Sequence, residues 1–327
     1  MEKIVEARMQ GIKFGELQIH GHVVVIPIIG ENGSGPDYLT MKEAMEQQLL
    51  TVTEVTEGGT VPELKVINKG GKPVLLLDGE ELSGAKQNRV LNTTILLKEK
   101  SGTLIPVSCT EHGRWSYSSS HFEESGHIMS AKLRRIKNAS VHENLKAMRS
   151  FRSDQGAVWD EIAIQACINE VSPATGAMKD VLEAKQEDLD AFLEHLPIVA
   201  DQNGLIVLVN GKVVGLDMVS RSAAFGMLHP KLIRSYVMDA LTEKPVTAKG
   251  KPLDMADAFL KKIPQCKEQP FDSVGYGRDY RYEGKKIVGS ALVHEGTVIH
   301  MAFFQITETE KAGHMSPVSR RRAYRTN

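Results

Sequence analysis

Two short stretches concentrate the side chains that could do chemistry. In the first, PVLLLDGEELSGAKQNRVLNTTILL, the apolar run Val74–Leu77 leads directly into Asp78, Glu80, Glu81, Lys86, Gln87, Asn88 and Arg89, and an apolar run resumes beyond them. Alternate residues of a strand share a face, so reading back from Ile95 and Leu97 places Thr93, Leu91, Arg89 and Gln87 on the side that becomes core. A buried guanidinium needs a charged partner and several acceptors. Asp78, Glu80 and Glu81 are the nearest candidates in sequence. Gly84 permits a ligand to approach the backbone closely. A cluster of fork donors, amides and carboxylates suits an anionic, hydrogen-bonding ligand such as a nucleotide or sugar phosphate. The competing reading is a hairpin in which Asp78-Gly79 makes the turn and the charges form a solvated rim, and the pattern alone leaves both open.

The second stretch is LIPVSCTEHGRWSY. Strand alternation puts Ile105, Val107, Cys109 and Glu111 on one face, with His112, Gly113, Arg114 and Trp115 following in a turn. A neighbouring cation makes a thiol nucleophilic, and His112 and Arg114 could serve Cys109 in that way while Glu111 opposes it. The plain alternative is a Cys109 that packs as a small hydrophobe. Glu111 reads as a general base or an arginine partner, and Trp115 either stacks on a base or caps the core. Cys109-x-x-His112 has a metal-ligand interval but no second pair, so no metal site is expected. A divalent cation held by Glu80, Glu81 or Glu111 stays open. If the two stretches form one site, Arg89 and Glu111 must share a pocket.

The elements that would position these residues form an α+β pattern. Residues 15–125 are strand-rich, with mainly antiparallel sheet regions expected at both ends of the chain. Thr40 with Glu43 marks a helix start by a capping box. From about 139 to 196 the apolar spacing is helical. One helix is expected over Asp154–Glu170, and a long one through Met178, Val181, Leu182, Leu189, Phe192, Leu193 and Leu196 ends at Pro197. Cys167 reads as core. A closing strand and helix region spans 204–306, with hairpins at Asn210-Gly211 and Glu295-Gly296. The simplest description is a single composite domain over 1–327 with a helical insertion and a basic tail at 312–327. The loop Gly30–Gly35 reads as a plain connection, since it matches no phosphate-binding motif.

Composition narrows the function classes. The 327 residues carry 40 basic and 41 acidic side chains for a formal charge of -1, which argues against nucleic acid as a partner. Val23–Ile29, the longest apolar run, is too short to cross a bilayer and contains Pro27, and the amino terminus lacks the apolar core of a signal peptide. Three scattered cysteines suit a reducing compartment, so a cytoplasmic protein without a membrane partner is expected. An oligomer remains open.

The run LLLDGEELSGAKQNRVLN followed by IPVSCTEHGRW resembles the bacterial and archaeal domain family named for its association with ADP-ribosylglycohydrolases and rhodanese-phosphatases. YLTMKEAM, VNGKVVGLDM and VIHMAFF extend the likeness over nearly the whole chain. The resemblance implies a context of NAD or ADP-ribose metabolism without naming a reaction. Gly84, Lys86, Gln87, Asn88, Arg89, Cys109, Glu111, Gly113, Arg114 and Trp115 match it. One expectation is therefore a hydrolase or transferase acting on an ADP-ribose-like or other phosphorylated nucleotide. Glu80, Cys109 and Glu111 would be its catalytic groups, and Gly84, Lys86, Gln87, Asn88, Arg89, His112, Arg114 and Trp115 its ligand contacts. The alternatives are a sensor that binds the same ligand without turnover and a scaffold whose polar cluster is a buried network.

Overall fold

The computed structural model describes residues 1–30, 35–56, 58–59, 62–246 and 250–306. The inner part of the glycine-rich loop, 31–34, and the basic tail lie outside the described residues. The fold is α+β: antiparallel sheet at both ends of the chain, helices between, and a closed six-stranded barrel in the amino-terminal half.

The largest element is a nine-stranded antiparallel sheet. Its path runs Lys13–Phe14, Val23–Ile29, Gln202–Val209, Lys212–Val219, Thr297–Gln305, Ile287–His294, Arg278–Glu283 and Lys267–Asp272, with Gln18–His20 also pairing on Val23–Ile29. The amino-terminal strand Val23–Ile29 thus belongs to the sheet of the closing region, paired residue for residue from Pro27 on Leu205 to Val23 on Val209. Both faces of these strands are buried, which is why the run VVVIPII reads as continuous rather than alternating. Val5 and Met9 of helix Lys3–Gln10 and Phe259 of helix Pro252–Leu260 cover one face. Phe225, Leu232 and Tyr236 of helix Ser222–Ala240 cover the other. Both expected hairpins form, with Asn210-Gly211 and Glu295-Gly296 at positive φ throughout, as a two-residue turn of this hand requires.

The barrel closes in the order Ser101–Cys109, Glu63–Asn68, Leu50–Glu54, Phe122–Ile128, Glu80–Gly84 and Arg89–Leu91. Leu50, Val52, Leu64, Val66, Leu82, Leu91, Ile105, Val107 and Phe122 belong to its apolar core. A three-stranded sheet of Leu39–Thr40, Val74–Leu76 and Ile95–Leu97 lies beside it, and the capping box at Thr40 is complete, with Glu43 closing on the Thr40 amide at 2.8 Å.

Four local expectations are corrected. Val90–Leu97, read as part of one strand from the alternation Gln87 to Leu97, is two strands in two different sheets, because Thr93 and Thr94 turn their hydroxyls to Asp279 and His300 of the large sheet and Asn92 accepts from Ser108 of the barrel. The helical segment starts at Ala131, capped by Ser130, and its first helix runs to Met148. The long helix through Leu196 breaks at Lys185, whose φ of -109° leaves helical space, giving Met178–Ala184 and Gln186–His195. Cys167 is exposed on the outer side of helix Gln155–Ile168 rather than in the core.

The barrel and the large sheet meet across buried charges. Asp217, in the middle of the sheet, takes both guanidinium branches of Arg134 at 2.8 and 2.7 Å, the Tyr236 hydroxyl at 2.6 Å and His300 Nε2 at 3.1 Å. Burial pushes the Asp217 carboxyl up, but the Arg134 charge and hydrogen bonds, with those of His300, outweigh it and hold it far below the usual carboxylate range. An ionised carboxylate only accepts, so His300 Nε2 carries the donated proton. Its Nδ1 meets the Thr94 hydroxyl at 2.8 Å, and that oxygen accepts from the Asp78 amide at 3.1 Å. Asp78 itself pairs with Lys137, which also donates to the Leu91 carbonyl at 2.9 Å. Asp78-Gly79 does make the expected turn, closed by the Glu80 amide on the Leu77 carbonyl at 3.1 Å, but its charges are buried and not a solvated rim.

Deleting one partner of such a junction strands the others in a dry interior. Asp217→Ala is expected to cost about 3–5 kcal/mol in urea denaturation, because buried Arg134 loses the carboxylate that takes both its guanidinium branches. Lys42→Ala, which breaks only the exposed pair with Glu46, should leave the transition midpoint in place.

Candidate functional site

One end of the barrel is polar where the rest is apolar. On strand Leu50–Glu54 the buried positions are Leu50, Val52 and Glu54, so the apolar face ends in a carboxylate. Across the barrel, on strand Arg89–Leu91, Arg89 sits opposite Cys109 and Leu82 and is fully buried. Its Nη1 donates to the Gln87 side chain at 3.1 Å and to the Gln87 carbonyl at 3.2 Å. Its Nη2 lies 3.8 Å from Glu54 Oε1, an ion pair longer than a hydrogen bond. Arg89 Nε and Nη2 and both Glu54 oxygens have no hydrogen-bond partner among the described residues.

Aromatic rings and a lysine stand over this pair. The Arg89 guanidinium lies 5.7 Å from the Trp115 ring, and Lys86 Nζ lies 5.6 Å from Trp115 and 5.0 Å from Tyr117. Trp115 and Tyr117 are 48% and 51% exposed, so the platform is open to solvent. Lys86 also donates to the Gly58 carbonyl at 2.8 Å. Gly59, at φ +73°, brings backbone close: a methyl group there would stand 3.2 Å from Lys86 Cδ, 3.4 Å from Trp115 Cζ2 and 3.6 Å from Glu54 Oε2. Those contacts gather Glu54, Lys86 and Trp115 around the Gly59 backbone.

The rim beside this mouth is built from the second motif. Glu111 accepts from Arg114 Nε at 2.8 Å and Nη2 at 2.6 Å, from the Thr175 hydroxyl at 2.7 Å and from the Asn88 amide at 3.1 Å. Burial pushes the Glu111 carboxyl up, but Arg114, Thr175 and the Asn88 amide together hold it below its ordinary value. Arg114 also donates to the Ala85 carbonyl at 2.7 Å and to Asn88 Oδ1 at 3.2 Å, and Asn88 Oδ1 accepts the Gly84 amide at 3.1 Å. Gly113 donates to the Thr175 carbonyl at 2.7 Å, and a Cβ at Gly113 would lie 3.1 Å from that backbone. The His112 ring stands edge-on to Trp159, with centroids 4.5 Å apart.

The two motifs therefore touch, with Cys109 in register with Arg89 and the Thr110 amide on the Asn88 carbonyl at 3.0 Å. Their key side chains nevertheless turn to different partners. The carboxylate beside Arg89 is Glu54, not Asp78, Glu80, Glu81 or Glu111. Glu80 is paired with Lys231, which also meets Glu124 at 2.8 Å, and it accepts the Leu77 amide at 2.7 Å. Cys109 and Glu111 do not emerge side by side: Cys109 stays inside the barrel, its backbone clamped by Gln155 at 2.8 Å on both sides. Burial raises the Cys109 thiol, with Arg89 opposing and Glu54 assisting, so the protonated form is favoured.

Glu81 is the carboxylate left without a cation. It is fully buried, its Oε1 accepts from the Thr110 hydroxyl at 2.7 Å, and its Oε2 has no hydrogen-bond partner among the described residues. Burial pushes its carboxyl up to about 7, against the opposing pull of Thr110, Ser125 and Lys179. Glu80, Glu81 and Glu111 thus face three separate sets of partners. Among the described residues no group of three or more His, Cys, Asp and Glu side chains is arranged to hold a metal ion.

Sequence reasoning missed Glu54 and Gly59. The alternation Leu50, Val52, Glu54 was a usable signal for the first, since it puts a carboxylate on an otherwise apolar strand face. Nothing local marks Gly59, whose neighbours Lys86 and Trp115 come from distant segments.

A closed barrel with a charged, aromatic-rimmed mouth, seated on an antiparallel sheet by buried ion pairs, defines an α+β class of protein. The chain belongs to the ARG and Rhodanese-Phosphatase-superfamily-associated Protein domain family, whose model matches residues 11–304. This is a domain associated with ADP-ribosylglycohydrolase and rhodanese-phosphatase proteins. Neither the curated proteins nor the solved structures searched contain a match. Among the described residues no helix is long and apolar enough to cross a membrane.

Two measurements check this account of the site. Iodoacetamide is expected to modify Cys167 alone in the native protein, with Cys109 and Cys266 reacting only on unfolding, as peptide mapping would read. The folded Glu81 value of about 7 lies above the ordinary 4.5, so the folded state holds a proton that the unfolded chain releases. That contribution is fully present below the unfolded value and is lost as pH rises through the folded one. Stability relative to Glu81→Gln should therefore fall between about pH 5 and pH 8; a difference that is flat with pH would refute the assignment.

Proposed function

We propose that the protein binds a phosphorylated nucleotide or ADP-ribose-like ligand at the mouth of the barrel. The observation that carries this reading is the Arg89–Glu54 pair, buried with unfilled hydrogen-bonding atoms beneath the exposed rings of Trp115 and Tyr117. Lys86 supplies the cation for phosphate and Trp115 the flat face for a base, while Gln87 and Asn88 sit at the same end with their amides. The association of the family with ADP-ribosylglycohydrolases supports the ADP-ribose context.

Binding without turnover fits the geometry better than catalysis by Glu80, Cys109 and Glu111. Lys231 occupies Glu80, Arg114 occupies Glu111, and the Cys109 thiol is shielded. A sensor or regulatory module of NAD and ADP-ribose metabolism is the resulting reading.

The test is a thermal-shift panel of ADP-ribose, NAD, nicotinamide mononucleotide and ADP on the wild type, Lys86→Ala and Trp115→Ala. Both substitutions lie on the exposed side of the mouth, so the fold should survive them. A compound at a hundred times its Kd is expected to stabilise the wild type by about 2.7 kcal/mol. Losing the stacking ring should cost about 1–3 kcal/mol of binding. A flat panel on folded wild type overturns the proposal.

A further inference from the structure

Glu54 and Arg89 form an ion pair that does not close. Elsewhere in the same molecule a buried carboxylate and guanidinium meet as a fork, Arg134 on Asp217 at 2.8 and 2.7 Å. Glu54 and Arg89 stand 3.8 Å apart instead, with side chains 4% and 0% exposed. Glu54 Oε1 and Oε2 and Arg89 Nε and Nη2 are all without hydrogen-bond partners among the described residues. Leaving four such atoms dry is costly, so the arrangement is complete only when a third group bridges it.

The chemistry of that group follows from what is unfilled. Two carboxylate oxygens can only accept, and two guanidinium nitrogens can only donate. A phosphate would fill Arg89 and be repelled by Glu54, and an ammonium group would do the reverse. A pair of adjacent hydroxyls fills both, each donating to a Glu54 oxygen while accepting from Arg89. A carboxylate that takes a ribose hydroxyl is an established way of holding a nucleotide. Gly59, having no side chain, lets its backbone close on Glu54, Lys86 and Trp115 together, so Lys86 stands beside Glu54 for the attached phosphate. We infer that Glu54 receives the vicinal diol of a ribose and makes the site select ribose over deoxyribose; this rests on the nucleotide-site reading above.

The experiment measures Kd by calorimetry for two matched pairs, ADP with 2′-deoxy-ADP and ribose 5-phosphate with 2-deoxyribose 5-phosphate, on wild type and Glu54→Gln. In at least one pair the wild type is expected to prefer the ribo form tenfold or more, because a site built for a hydroxyl rejects the analogue lacking it. In Glu54→Gln that preference should shrink to within about twofold, since an amide offers one acceptor and one unwanted donor. Should Glu54→Gln fail to fold, Glu54→Asp keeps the charge but withdraws its oxygens, and it too should lose most of the preference. Ligands that bind wild type without ribo preference, or a preference that survives the substitution, overturn the inference and leave the nucleotide site standing. No binding of any compound, including the ADP-ribose and NAD of the earlier panel, overturns both.

Discussion

Asp217 is the constraint on which the architecture turns. It accepts Arg134 from the first helix of the helical segment, Tyr236 from the sheet-covering helix and His300 from the neighbouring strand. Through His300 and Thr94 the chain of hydrogen bonds reaches the Asp78 amide, which opens the turn leading into the barrel. The first motif, the helical segment, the sheet-covering helix and the large sheet are thereby registered against one carboxylate. Apolar packing alone would be nearly indifferent to small slips between layers, whereas a charge held by four directional hydrogen bonds from three residues is not. The cost of burying the carboxylate is offset only while all its partners are in place, which makes the junction a device for position more than for net stability.

Lys137 and Lys231 show how finely local charge sets the outcome. Both are buried lysines on helices, and both meet a carboxylate of the first motif. Burial lowers Lys137, and the Asp78 carboxylate does not fully compensate in the company of Arg134 and Arg281. Burial acts the same way on Lys231, but Glu80 and Glu124 together outweigh it and raise the amine. Asp78 and Glu80 are thus spoken for by the scaffold. Arg89, Glu54 and Glu81 are left with side-chain atoms that have no hydrogen-bond partner among the described residues.

The candidate site was partly legible. That GAKQNR and CTEHGRW hold the concentrated polar groups was visible, but whether they touch was not, because the ladder that puts Arg89 beside Cys109 is a long-range pairing. Arg89 was expected on a buried face and is there, although the face belongs to the barrel and not to the strand containing Ile95 and Leu97. Its partner was misjudged for a simple reason. Asp78, Glu80 and Glu81 are closest in sequence, but the barrel curls Leu50–Glu54 across to Arg89 from more than thirty positions away. The exposed Cys167 was misread because IAIQACINE is apolar on both sides of its helix, so the pattern has no preferred face.

Local chemistry in the sequence was enough to decide the elements that depend on nearest neighbours. The Thr40–Glu43 capping box, the two hairpin turns with residues tolerant of positive φ, and the mix of strands and helices all rest on contacts a few residues long. Family membership is equally a property of the chain as written. The tertiary structure decided what depends on long-range pairing: the barrel closure, the entry of Val23–Ile29 into the closing sheet, and the assignment of each buried charge to its partner. The reason is physical. A carboxylate is satisfied by whichever donor the packed layers bring within about 3 Å, and separation along the chain has no bearing on that distance.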